Sequence, residues 1–118
     1  MEYVLFFNQT AEEFERLQDP NLPPEGLAPW KAYMDAMVSA GVLRGGNRLA
    51  PPWTATTIRE RGGTRQIQDG PFADTREMAS GYVVIEVASF DEALKWAAMS
   101  PSTAVGSTEI RPLAAPPR

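Results

Sequence analysis

Asp69-Gly70-Pro71-Phe72-Ala73-Asp74-Thr75-Arg76-Glu77, followed closely by Gly81-Tyr82-Val83-Val84-Ile85-Glu86-Val87, joins an exacting turn to an apolar, β-branched run. An aspartate that opens a tight turn accepts hydrogen bonds from backbone amides two or three residues on, Gly70 tolerates unusual dihedrals, and Pro71 sets the chain direction. Residues 81 to 88 read as a central strand covered on both faces. Between them, Asp74 and Glu77 have the spacing of a capping box, which predicts a short helical turn leading to Gly81.

Downstream, Ser89 and Glu92 repeat the capping-box spacing, and Asp91 adds negative charge at the same helix start. Phe90, Leu94 and Ala97 then mark the inward stripe of an amphipathic helix that ends before Pro101. A last strand is expected over 107 to 111. Upstream, Trp53 to Arg61 and Thr64 to Asp69 flank Gly62-Gly63 and read as a polar hairpin. Trp30, Tyr33, Met34, Met37 and Val38 recur with helical spacing, Pro29 suits the first turn, and Gly41 suits the stop. Residues 2 to 8 form a first buried strand. Thr10 with Glu13 caps a short helical turn carrying Phe14 and Leu17, which the proline-rich stretch from Asp19 to Gly26 then breaks.

This order predicts an α+β domain, a ferredoxin-like split βαβ arrangement with both helices on one face of an antiparallel sheet. The other face would carry apolar side chains with nothing over them, so a homodimer is expected. Residues 1 to 113 form the domain in this reading, and 114 to 118 a short proline-rich tail.

The 118 residues include no cysteine and no histidine, which excludes disulfides, thiolate nucleophiles, imidazole acid-base chemistry and the usual zinc, haem and iron-sulfur ligand sets. No metal and no cofactor is expected. Eleven basic against fifteen acidic side chains give a net charge of -4, unsuited to a phosphate backbone, so no nucleic-acid partner is expected. The apolar run Tyr3 to Phe7 is too short for a signal core or a membrane span, and a cytoplasmic location without membrane attachment is the expectation.

Several segments together resemble the DGPF group of YCII-related proteins: Ala40-Gly41-Val42-Leu43, Asn47-Arg48-Leu49-Ala50-Pro51, the turn from Asp69 to Glu77, Gly81-Tyr82, Phe90 to Ala97, and Glu109-Ile110-Arg111-Pro112. That resemblance spans nearly the whole chain and implies a dimeric α/β barrel, in which two ferredoxin-like sheets face each other and enclose a pocket. Some members resemble dehydrochlorinases with a His/Asp dyad, and some accompany sigma factors. The histidine of such members lies eleven residues before the helix-ending glycine, and here that position is Trp30. The dyad cannot be assembled.

Asp69 is either a turn-locking residue or a pocket carboxylate, and Glu86 either a solvent-facing group near a strand end or a pocket carboxylate with raised pKa. These two are the candidate catalytic residues. Trp30, Tyr33, Asp69, Phe72 and Tyr82 are the candidate pocket residues, although the Trp30 stripe and Phe72 also suit a core. Asp74 reads as a cap. Arg48, Arg59 and Arg111 are surface residues by default, yet a strand-borne arginine can bind a carboxylate bidentately. The leading functional reading is a cofactor-free small-molecule-binding or accessory domain. A cofactor-free lyase or isomerase using a pocket carboxylate, and a protein-protein interaction module linked to a sigma factor, are the alternatives.

Overall fold

A computed structural model describes residues 1 to 71 and 75 to 117. Strand β1 (Glu2–Thr10) leads into helix α1 (Ala11–Gln18), a single 3-10 turn, and helix α2 (Ala28–Ser39). Strand β2 (Leu43–Arg48) follows, then the hairpin β3 (Thr56–Arg61) and β4 (Thr64–Asp69), strand β5 (Glu77–Glu86), helices α3 (Phe90–Met99) and α4 (Pro101–Val105), and strand β6 (Ser107–Pro112). Four strands form an antiparallel sheet in the order β2-β5-β1-β6, and the hairpin makes a second sheet of its own. This is the expected ferredoxin-like arrangement. Among the described residues, no helix is long and apolar enough to cross a membrane.

Alternation along the two central strands decides which layer each residue joins. Leu5 stands opposite Val83 on one side and Ile110 on the other, and Tyr3 stands opposite Ile85. Together with Phe7 they meet Tyr33 and Met37 of α2 and Ala93 and Ala97 of α3 in a single core, so both helices cover the same sheet face. Tyr33 is 5% exposed, and its hydroxyl donates to the Trp96 carbonyl at 2.8 Å. Burial pushes its phenol well above the usual range, which keeps the proton on that bond.

The two helix starts expected at Thr10 and Ser89 are capped. Thr10 Oγ1 accepts from the Glu13 amide at 3.3 Å, and Ser89 Oγ accepts from the Glu92 amide at 3.2 Å. The Glu92 carboxylate reaches back to the Ala88 amide at 3.1 Å, one residue before the cap. Gly41 ends α2 with φ 71 as anticipated.

The structure corrects several details. Phe90 and Leu94 are not on the buried stripe of α3; each is 49% exposed, while Ala93, Ala97 and Ser100 are buried and Trp96 packs against the core. Alanines at that face let the helix lie close to the sheet, and the larger residues are left at its flank, where Phe90 still meets the Tyr3 ring at 6.1 Å. Val38 is likewise 63% exposed, outside the α2 stripe. Among the described residues no helical turn leads into Gly81: residues 77 to 79 already belong to β5, with Glu77, Met78 and Ala79 opposite Thr10, Gln9 and Asn8. Sheet pairing with β1 outweighs the local capping signal there. Asp74 and Phe72, read as a cap and as a core or pocket residue, lie outside the described residues. Helix α4 was not foreseen; Pro101 begins it, and Ser102 Oγ bonds Ser100 Oγ at 2.8 Å and Thr108 Oγ1 at 2.6 Å, tying the turn to β6.

The hairpin stands apart from the main sheet, with Ile58 and Ile67 opposite each other and both more than half exposed. It contributes to a radius of gyration of 16.3 Å, against roughly 13 to 14 Å for a compact chain of this length.

Candidate functional site

A cleft of about 410 Å³ opens between the helix layer and the sheet, at the end of the sheet where β2 is the edge strand. Its cause lies in the glycines of two neighbouring strands. Gly46 pairs with Val83, and Arg48 pairs with Gly81, so Gly46 and Gly81 both lie on the face that the helices cover. At each of them the neighbouring strand comes too close for a side chain. A Cβ on Gly46 would sit 2.4 Å from the Tyr82 carbonyl oxygen, and one on Gly81 would sit 2.8 Å from that of Asn47. The sheet therefore presents bare backbone beneath α1 and α2, and the space that side chains would fill remains open.

Phe14 and Leu17 of α1 and Trp30 and Met34 of α2 supply apolar walls, and Phe7 and Val83 continue them on the sheet. Trp30 is held by edge-on contacts to Phe7, with ring centroids 5.0 Å apart, and to Tyr33 at 6.2 Å. An indole fixed in this way offers a rigid apolar surface to a planar molecule. Polar groups are few. Gln9 is 2% exposed, and its Nε2 donates to Ser80 Oγ at 2.9 Å while Ser80 donates in turn to the Phe7 carbonyl at 3.1 Å. Because the single Ser80 proton is committed to Phe7, the amide must present nitrogen to the serine, which leaves Gln9 Oε1 buried without a partner among the described residues. Arg48 stands toward the exposed end of the cleft, whereas the Asn47 and Tyr82 side chains lie on the opposite sheet face, where Asn47 Nδ2 donates to the Tyr82 hydroxyl at 3.1 Å. No carboxylate belongs to the lining among the described residues.

The residues singled out in the sequence divide. Trp30 lines the cleft with its indole; Tyr82 borders it at the sheet, but its side chain lies on the opposite face with Phe6, and Tyr33 lies behind the cleft in the core. Asp69 is exposed at the end of β4, and among the described residues its carboxylate has no hydrogen-bond partner. The turn is held instead by the Gly70 amide on the Ala55 carbonyl at 2.7 Å, Thr57 Oγ1 on the Gly70 carbonyl at 2.9 Å, and Gln68 Nε2 on the Pro71 carbonyl at 3.1 Å. Glu86 projects from the opposite sheet face, opposite Glu2, and receives the Met1 amino group at 2.5 Å. It and Asp69 are not brought together within the chain. This cleft lies on the helix face of a single chain, where the glycines leave room, and is a different space from the pocket expected between two facing sheets.

Gln9, Ser80, Gly46 and Gly81 were not anticipated as site residues. A glycine pair in an edge strand and a lone glycine in an otherwise β-branched strand are the signals that mark close backbone approach, and they become a site only once register sets them side by side.

The fold recurs in a 5-chloro-2-hydroxyhydroquinone dehydrochlorinase from Burkholderia phenoliruptrix, solved in complex with 2,5-dihydroxybenzoquinone, with a TM-score of 0.54. The match covers 97% of this chain and 94% of that one, and at 14% identity it speaks for architecture alone. In sequence, an uncharacterised protein of Rhizobium meliloti is 46% identical over 81 residues, a match spanning 65% of this chain and 64% of the relative. The profile of the YCII-related domain matches residues 1–115. With nearly the entire chain inside that match and the fold to accompany it, the protein belongs to the YCII-related domain family.

Proposed function

We propose that this chain binds a small, predominantly apolar molecule in the cleft beneath α1 and α2, as a homodimer and without a cofactor. The observation that carries this reading is the cleft itself, a concave site of about 410 Å³ with mostly apolar walls and a few placed polar groups. Small-molecule sites typically have this make-up. The enzyme alternative drew on Asp69 or Glu86, and neither lines the cleft. Binding is therefore the reading the geometry favours over carboxylate catalysis.

The molecule held by the dehydrochlorinase, 2,5-dihydroxybenzoquinone, is a suitable first probe because it is small and planar. Calorimetry should detect its binding, and Trp30→Ala should weaken it about tenfold, the equivalent of one lost aromatic contact. Equal affinity for both proteins would show that Trp30 does not wall the bound site.

The dimer is proposed on the sheet face away from the helices. Val4, Phe6, Tyr82 and Val84 form an apolar cluster there, with Arg111 over the Phe6 ring at 5.7 Å and Glu86 and Glu109 nearby in the register. Equilibrium sedimentation at micromolar concentration should give twice the chain mass. Replacing Val84 by Arg should shift the distribution to the monomer while leaving the helix-side cleft intact. A wild-type protein that sediments as one chain would contradict the proposal.

A further inference from the structure

Among the described residues, Arg48 is the one charged side chain in the lining of the cleft, and its position is fixed by register. It pairs with Gly81, which pairs in turn with Phe7, so its side chain belongs to the helix-covered face; Asn47 beside it turns the other way to Tyr82. Most arginines here have visible work elsewhere. Arg16, Arg65 and Arg111 each pair with a glutamate, and Arg44 donates to the Gly41 carbonyl at 2.8 Å. Among the described residues, the Arg48 guanidinium has neither an ion pair nor a hydrogen bond, and no carboxylate of the lining faces it.

We propose that the cleft selects a small planar oxyanion, a carboxylate or a phenolate, with its charged group on Arg48 and its apolar body against Trp30 and Met34. The inference rests on the reading of the cleft as a binding site, and adds to it the charge and orientation of the occupant. A guanidinium presents parallel N–H donors that match two oxygens of one group, so it orients a planar anion as well as attracting it. The bare backbone at Gly46 and Gly81 lets a flat ring lie close to the sheet.

Benzoate and benzamide test this, since they match in size and shape and differ in charge. Titrated by calorimetry at low ionic strength, benzoate should bind about five- to tenfold more tightly than benzamide, a preference suited to a partly exposed ion pair. The preference should shrink at about 0.5 M salt, where the charges are screened. Arg48→Gln should bring the ratio close to one by weakening benzoate alone, and Arg48→Lys should retain part of it. The side chain is exposed, so these variants are expected to melt like the parent. Equal binding of the two probes to the parent, or a benzoate preference that survives in Arg48→Gln, would overturn the inference while leaving the cleft as a binding site. If neither probe binds the parent at millimolar concentration, the cleft reading itself fails and the inference with it.

Discussion

Gly46→Ala is expected to lower the stability of the folded chain by about 2 to 5 kcal/mol, combining backbone strain with overpacking. The added Cβ would lie 2.4 Å from the Tyr82 carbonyl oxygen and 2.9 Å from the Val83 Cα, and φ at this residue is +154. Relief requires β2 to move away from β5, which breaks the pairing that holds the edge strand. Gly45→Ala is the internal control. A Cβ there meets nothing within 4 Å, so its cost should stay below about 1 kcal/mol. Urea unfolding of the two variants checks the contrast, and equal midpoints would mean that β2 and β5 are not as close as described.

Leu5→Ala should cost about 2 to 5 kcal/mol, the range for emptying a fully buried leucine site. Leu5 is 0% exposed at the centre of β1, flanked by Val83 and Ile110 under the helices. By hydrophobicity alone Leu94 looks equivalent. Half exposed on α3, it should lose no more than about 1 kcal/mol when cut to alanine. Comparable losses at the two positions would contradict the observed phase of α3.

That contrast shows where sequence reading succeeds and where it stops. The β-branched runs in β1 and β5, the two capped helix starts and the Gly62-Gly63 turn carry local signals, and each corresponds to an element at or near its expected place. The phase of α3 carries a weaker one. Ala93 and Ala97 face the sheet because small residues allow close approach, and only the packed structure distinguishes that need from the stronger hydrophobic signal of Phe90 and Leu94. Residues 77 to 79 illustrate competition of another kind, since a capping pattern within one segment yields to pairing with a strand some 70 residues away.

The site was legible only in part. Trp30 stood out because the family resemblance drew attention to its position, and Tyr82 because it adjoins the glycine of a buried strand. Asp69 stood out for its turn chemistry, yet the bonds that hold the turn come from Thr57, Gln68 and backbone. Gln9 gave no signal, being one polar residue after an apolar strand core. Its burial depends on β1 running on to Thr10, and its orientation depends on Ser80 across the sheet. Arg48 could be read only as a strand-borne arginine until register placed it opposite Gly81 on the cleft face.

In the proposal above, the helix-side cleft over Gly46 and Gly81 is where this protein holds a small molecule. Amide chemical-shift mapping during titration with 2,5-dihydroxybenzoquinone tests it most directly, because glycine amides report on both the cleft floor and distant turns. Saturable shifts are expected at Gly46, Arg48, Ser80, Gly81 and the Trp30 indole, with Gly62 and Gly63 in the remote hairpin turn unmoved. Shifts confined to Val4, Phe6 and Val84 on the opposite sheet face, with the Gly46 and Gly81 amides silent, would contradict it.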